Sequence, residues 1–288
     1  MFGIILAILT AIFWGSYEVP IAKLKESSSL IVSILTTTSF IISLMFYFIF
    51  SPILTINIIF FGLIAGVLWS LGQIYCLIGL KKANFGNYYT ICSSVQILLN
   101  FIFGIVIFNE ILSGGYFNLL IGFIGILLLI LGVNYVSKIR EGGKSKLSKA
   151  GLFLAFLSAL LWSLQFVSVR FANANPFSIV VPMTFGMTVT SWVYTALIDR
   201  KTSTSISTLK MSSLSGATWV IGNYLGFFAI NDIGLVRTFS IAQIANLVAV
   251  LWSILYFKEF VERKNILALI FSVILILLGA GLMGLAKT

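Results

Sequence analysis

Apolar residues run along this chain in blocks of about twenty, separated by short polar or turn-forming stretches. Ten blocks can be drawn, at roughly 3–22, 30–50, 56–79, 87–108, 115–136, 150–171, 177–198, 213–230, 235–257 and 264–285. Each is long enough to cross a bilayer core as a helix, for which about 20 mostly apolar residues suffice. The breaks carry turn signals or charge, as in Lys23-Leu24-Lys25-Glu26-Ser27, Ser51-Pro52, Lys81-Lys82, Ser113-Gly114-Gly115, Asn175-Pro176 and Asp199-Arg200-Lys201. The longest polar stretch, Ser137 to Lys149, falls near the middle of the chain.

Composition leads to the same class. The 288 residues are 60% hydrophobic and only 9% charged, whereas a soluble domain is about one quarter charged. A soluble domain of this size has too little interior to hide so much apolar surface. The predicted fold class is therefore all-α integral membrane, multi-pass. The N-terminus lacks a basic leader and its apolar run continues to Ala22, so it reads as a first span and not as a cleaved signal peptide.

The net charge of +10 sits in the short connections between spans. The odd-numbered connections hold 15 of the 18 Lys and Arg, leaving Arg170, Arg237 and Lys287 for the even ones and the termini. Positive residues stay cytoplasmic. The bias predicts odd connections inside, both termini extracytoplasmic, and a cell-membrane location. It also removes nucleic acid as a partner, because no soluble basic face exists. Tyr88, Tyr89 and Tyr116 lie near span ends, where an interfacial aromatic belt is expected.

The two halves repeat each other. Phe13-Trp14-Gly15-Ser16 is matched by Leu161-Trp162-Ser163-Leu164, and Trp69-Ser70-Leu71-Gly72-Gln73 by Trp219-Val220-Ile221-Gly222-Asn223. Gln96 is matched by Gln243, and Phe108-Asn109-Glu110 by Phe257-Lys258-Glu259. The offsets are 148, 150, 147 and 149 residues, which marks a duplication. Five spans per half is an odd number, so the second copy crosses in the opposite sense. The predicted architecture is ten transmembrane helices in two inverted five-helix repeats, at 1–136 and 150–288, joined by a cytoplasmic basic linker at 137–149.

With these motifs the chain resembles the drug/metabolite transporter superfamily, and more tightly its bacterial glucose/ribose uptake branch. The resemblance rests on Phe13 to Ser16, Gly66 to Gln73, Gln96 with its run to Glu110, Trp219 to Asn223, Phe239 to Gln243, and Glu259, and it covers nearly the whole chain. It implies sugar import driven by an ion gradient. Glu18, Pro20 and Arg237 depart from the branch's pattern.

The candidate substrate-binding residues are Trp14, Trp69, Gln73, Gln96, Trp219, Asn223 and Gln243. Trp69 and Gln73 are four apart and share a helix face, as do Trp219 and Asn223. An indole face stacks on the C–H groups of a sugar, and an amide both donates to and accepts from its hydroxyls. The structural alternative is that these amides bond helix to helix, a role that Asn100 and Asn246 could equally fill. Gly62-x-x-x-Gly66 and Gly222-x-x-x-Gly226 are close-packing faces. Glu18 lies inside the first span and is the candidate for proton coupling, against an ion pair with Lys23. Pro20 and Pro182 are expected to kink their helices. Glu110 and Glu259 read as helix-end charges in water, and Arg237 could pair with Asp232.

No histidine is present, so neither a zinc-protease motif nor a Ser–His dyad can be built, and no nucleotide loop occurs. Cys76 and Cys92 read as packing residues and do not make a metal site or a disulfide framework. The chain is expected to be no enzyme and to need no cofactor or metal. Its expected function is secondary active transport, importing a neutral glucose- or ribose-like sugar by alternating access with proton coupling. An exporter of amino acids or other small metabolites is the alternative on the same fold, and a channel fits less well. The partners are a small-molecule solute and the lipid bilayer, with a homodimer compatible with the sequence.

Overall fold

The computed structural model describes residues 2–83, 85–108, 115–138, 148–200, 204–259 and 262–285. Among them the regular secondary structure is helical. The helices are α1 (Phe2–Ser16), α2 (Ser28–Phe50), α3 (Ile56–Leu80), α4 (Phe85–Val106), α5 (Gly115–Lys138), α6 (Lys149–Ala172), α7 (Pro176–Tyr194), α8 (Ile206–Ile233), α9 (Leu235–Ala242), α10 (Ile244–Leu255) and α11 (Arg263–Leu285). Among the described residues seven spans are long and apolar enough to cross a membrane, one of them, Arg237–Leu255, running from α9 through α10, while α1 and the apolar part of α5 (Tyr116–Gly132) are shorter. The perimeter is apolar, with Phe48, Ile53, Ile56, Phe123 and Phe271 all exposed, as lipid contact requires. Glu110 and most of the 137–149 linker lie outside the described residues.

Two expected spans end differently. The first block, drawn to Ala22, is helical only to Ser16, and Tyr17 to Lys23 continue as turns. Pro20 has no N–H to give to Ser16, whose carbonyl is taken instead by the Val19 N–H at 3.1 Å. Irregular backbone at membrane depth survives only when protein covers it, and Tyr17, Glu18, Val19 and Ile21 are all buried. The ninth block, drawn as one helix, is broken at Gln243 into α9 and α10. The end of α7 widens into a π turn, Thr195–Asp199.

Packing crosses between the halves of the chain. α3 packs on α6 and α7, while α8 packs on α1 and α2; α2 lies on α7, and α5 on α11. Glycines set the closest approaches. A Cβ on Gly66 of α3 would stand 2.7 Å from the Met187 nitrogen of α7. The other glycine pair does a different job: Gly222 and Gly226 make room for Trp14, and Gly72 makes room for the Trp162 indole at 2.8 Å.

The α2–α7 seam is a line of buried hydroxyls. Ser33 bonds Thr195 at 3.0 Å, Thr36 bonds Ser191 at 2.9 Å and Ser43 bonds Thr184 at 2.6 Å. Each also reaches a carbonyl of its own helix, as Thr36 does to Ser33 (3.0 Å) and Thr184 to Val180 (2.8 Å).

The end of the bundle that carries Lys23, Lys81 and Glu259 is tied by polar contacts. Glu259 is no free helix-end charge, because it accepts the N–H groups of Phe85 (2.9 Å) and Gly86 (3.3 Å) and the Ser253 hydroxyl (2.7 Å). Lys23 stands over the Phe257 ring at 4.8 Å. The hydroxyls of Thr208 and Ser205 hold the Glu26 carboxyl below the usual carboxylate range. At the other end, Asp232 accepts the Gly3 N–H at 2.8 Å, capping the start of α1 instead of meeting Arg237.

Candidate functional site

Five helices line a central cavity of about 50 Å³. α1 supplies Trp14, with Tyr17 just beyond its end. α3 supplies Trp69 and Cys76, and α4 supplies Tyr89, Cys92, Ser93 and Gln96. α6 gives Trp162, Gln165 and Phe166, and α8 gives Trp219 and Asn223. Four of the six tryptophans of the chain meet here. They are the two pairs matched across the repeat, and Trp69 lies 4.4 Å from Trp219, ring centre to ring centre.

Of the residues expected to bind solute, Trp14, Trp69, Gln96, Trp219 and Asn223 line this cavity. Gln73 and Gln243 do not. Gln73 is fully buried one layer behind, where its amide donates to Glu18 at 3.1 Å. Gln243 sits at the α9–α10 break, accepting from Asn246 at 2.7 Å, and Asn246 in turn accepts from Ser93. Asn100 is buried on α4 without lining the cavity. Tyr88 and Tyr89 are no interfacial belt: Tyr88 is fully buried and Tyr89 bonds the Trp14 carbonyl at 2.8 Å. Tyr116 is 93% exposed and fits the belt.

Among the described residues, the cavity wall carries no Asp, Glu, Lys or Arg. It does carry unspent polar atoms. Among the described residues, the Trp162 Nε1–H donor and the Gln165 Oε1 acceptor have no hydrogen-bond partner. Buried polar groups left unpaired are costly, and both residues line the cavity. Asn223 gives an N–H to the Trp219 carbonyl at 3.0 Å, which fixes its amide and keeps the oxygen available. Sequence reasoning misses Tyr17, Trp162, Gln165 and Phe166 as site residues. The signal for Trp162 is its place as the repeat partner of Trp14, and Gln165 follows it by three positions, on the same helix face.

Glu18 lies behind the cavity with its side chain fully buried. Its Oε1 meets the Tyr17 hydroxyl at 2.9 Å, the Gln73 amide at 3.1 Å and the Cys76 thiol at 3.5 Å, while its Oε2 has no partner among the described residues. Lys23, bound over aromatic rings, does not pair with it. The Tyr17 hydroxyl is also 2.9 Å from the Gln73 Oε1. One hydroxyl proton cannot serve both oxygens. A proton on Glu18 completes the set, with Glu18 donating to Tyr17 and Tyr17 donating to Gln73.

Apolar helices of membrane-crossing length packed around a tryptophan-lined cavity define a multi-pass membrane protein. Residues 5–286 match the family described as sugar transport protein, and the chain belongs to that family. Among its relatives is the glucose uptake protein GlcU of Bacillus subtilis (strain 168), 27% identical over 99% of both chains. Another is the putative sugar uptake protein lmo0169 of Listeria monocytogenes serovar 1/2a, 24% identical over 99% of this chain and 100% of its own. The relatives are named for uptake and not for a catalysed reaction. A solved structure described as "Crystal structure of protein" shares the fold, with a TM-score of 0.65, 14% identity, and coverage of 98% of this chain and 96% of its own.

Proposed function

We propose that this protein imports a neutral sugar of the glucose or ribose kind by proton-coupled alternating access. The observation that carries the reading is the pairing of the unspent Trp162 Nε1–H donor and Gln165 Oε1 acceptor on a wall without charge. A polyhydroxylated neutral solute satisfies both, and indole faces cover its C–H surfaces. Trp14, Trp69, Gln96, Trp219 and Asn223 contact the solute. Gln73 acts through Glu18, and Gln243 through Asn246 and Ser93.

Glu18 is the proton site in this reading. It is a buried carboxyl with hydrogen-bond donors but no cation, and it shares Tyr17 with the cavity wall. An ionisable group inside a membrane bundle is functional by default. The ten-span, inverted-repeat arrangement is supported by the reciprocal packing of α1 on α8 and α6 on α3. The charge bias supports odd connections on the cytoplasmic side. The alternative, an amino-acid or metabolite exporter, fits less well because an amino acid needs charged partners in the cavity.

Uptake of radiolabelled glucose and ribose into proteoliposomes, with and without an inward proton gradient, tests the reading. Saturable uptake accelerated by the gradient supports it. Absence of sugar flux in folded protein overturns it in favour of the exporter.

A further inference from the structure

Tyr17 stands where α1 stops and touches two places at once. Its side chain is part of the central cavity wall, and its hydroxyl reaches behind that wall to Glu18 and Gln73. The backbone beneath it is held. The Tyr17 N–H donates to the Phe13 carbonyl at 3.0 Å, and the Tyr17 carbonyl accepts the Ser215 hydroxyl of α8. The freedom left is in the side chain.

Three polar contacts close a triangle there. The Tyr17 hydroxyl lies 2.9 Å from Glu18 Oε1 and 2.9 Å from Gln73 Oε1, and Gln73 Nε2 lies 3.1 Å from Glu18 Oε1. Tyr17 brings one proton to the triangle and the Gln73 amide brings another. The third contact joins two oxygens, and a proton on Glu18 makes it a hydrogen bond. Turning the amide over does not remove the need, because Gln73 Oε1 then faces Glu18 Oε1.

Without that proton one edge of the triangle repels. Gln73 is fully buried on α3, and Glu18 is held further by the Cys76 thiol at 3.5 Å. The group with room to yield is Tyr17, which borders the cavity. Tyr89 on the same wall behaves differently, since its hydroxyl is spent on the Trp14 carbonyl at 2.8 Å, a contact in which Glu18 has no part.

We propose that Tyr17 is the positioning residue that links the proton site to the solute site: protonated Glu18 closes the triangle and seats the Tyr17 ring in the cavity wall, and loss of the proton releases it. The proposal rests on the proton-coupled sugar reading above. Coupling between two sites is reciprocal, so acid tightens glucose binding and glucose binding draws a proton onto Glu18. The titratable groups facing Glu18 are Tyr17 on its own segment, Cys76 of α3, and Tyr88 and Tyr89 of α4. Thiols and phenols ordinarily keep their protons to above neutral pH, and Lys23 is held over the Tyr256 and Phe257 rings. A pH dependence on the acid side of neutrality therefore belongs to Glu18.

The test compares wild type with Tyr17→Phe, which keeps the ring and removes the hydroxyl. Binding of radiolabelled glucose to purified protein is measured over a pH series, and a pH-indicator dye follows proton uptake when glucose is added in weak buffer. Wild type is expected to bind glucose about fivefold or more tightly at the acid end and to take up protons on binding. Tyr17→Phe is expected to show an affinity that no longer follows pH, and no proton uptake. The slope is what is read, because loss of a merely structural tyrosine shifts affinity equally at every pH. Gln73→Met removes the contested acceptor, is expected to flatten the slope as well, and serves if Tyr17→Phe fails to fold. A folded variant of either kind that keeps the wild-type slope and proton uptake overturns the role of Tyr17 and leaves the sugar reading standing. Wild-type glucose binding that ignores pH removes proton coupling and this role with it. Absence of glucose binding and uptake by folded wild type removes the sugar reading itself.

Discussion

The carboxylate of Glu259 accepts the backbone N–H of Phe85 at 2.9 Å, so a side chain from just beyond α10 caps the first turn of α4. Helix starts leave N–H groups unsatisfied, and a carboxylate there also meets the favourable end of the helix dipole. Removal of a cap costs about 0.5–2 kcal/mol. Glu259→Ala should lower the thermal midpoint of the purified protein, while Glu259→Gln, which keeps one acceptor oxygen, should recover part of the loss. Thermal unfolding followed by size exclusion reads both.

Glu18→Gln should separate exchange from accumulation. The amide keeps the shape and the contacts to Tyr17 and Gln73 but cannot take up and release a proton as the proposed coupling requires. Sugar exchange across proteoliposomes at equal pH should persist, while gradient-driven accumulation should fall to the level seen without a gradient. Accumulation that still follows the gradient in the variant would place the coupling elsewhere. Glu18→Ala additionally leaves buried donors unpaired, at about 1–3 kcal/mol.

The Trp69–Trp219 contact joins α3 to α8 across the cavity. Trp219→Ala should cost about 3–5 kcal/mol of stability by analogy with buried aromatic truncations. Trp219→Phe keeps a ring and should fold. Its sugar KM should rise with kcat little changed if the indole acts in solute binding. A thermal midpoint together with uptake kinetics separates packing from recognition.

Gly66 touches α7 backbone, and backbone cannot swing aside. Gly66→Val should therefore force α3 and α7 apart, at about 1–3 kcal/mol or more. Membrane yield and monodispersity are the measurements, and a well-behaved Gly66→Val protein would contradict the tight α3–α7 contact.

How much of this can be read from the chain depends on what a linear pattern encodes. Membrane class follows from apolar block length alone, and the tryptophan pairs follow from the duplication. A polar residue in an apolar block signals only that it faces inward. It does not say which inner surface it faces. Gln73 and Asn223 hold equivalent places in the two repeats, yet Gln73 holds Glu18 and Asn223 lines the cavity. Gln165 escapes a search for matched pairs because its repeat position is filled by Tyr17, a different chemistry at the same place. The early end of α1 is encoded by Pro20, but the burial of the irregular segment after it depends on neighbours distant in sequence.

Hydroxyl-for-methyl exchanges on the α2–α7 seam should be nearly silent one at a time. An interhelical hydrogen bond in lipid is worth about 0.6 kcal/mol on average, and Ser191 retains the Thr188 carbonyl at 3.0 Å when Thr36 becomes Val. Thr36→Val and Ser43→Ala should each shift the thermal midpoint slightly. Their combination should shift it by about the sum if the bonds are independent.

The break at Gln243 has no counterpart in α4, which runs unbroken past Gln96. Sequences that match are thus held in two shapes at once, one straight and one jointed. If the proposed alternating access with inverted copies holds, the opposite-facing state would trade these shapes, straightening the second and bending the first near Gln96. On the alternating-access proposal, the molecule's mismatch is then a compass needle: it would tell which way this conformer points, and where along α4 a bend would form.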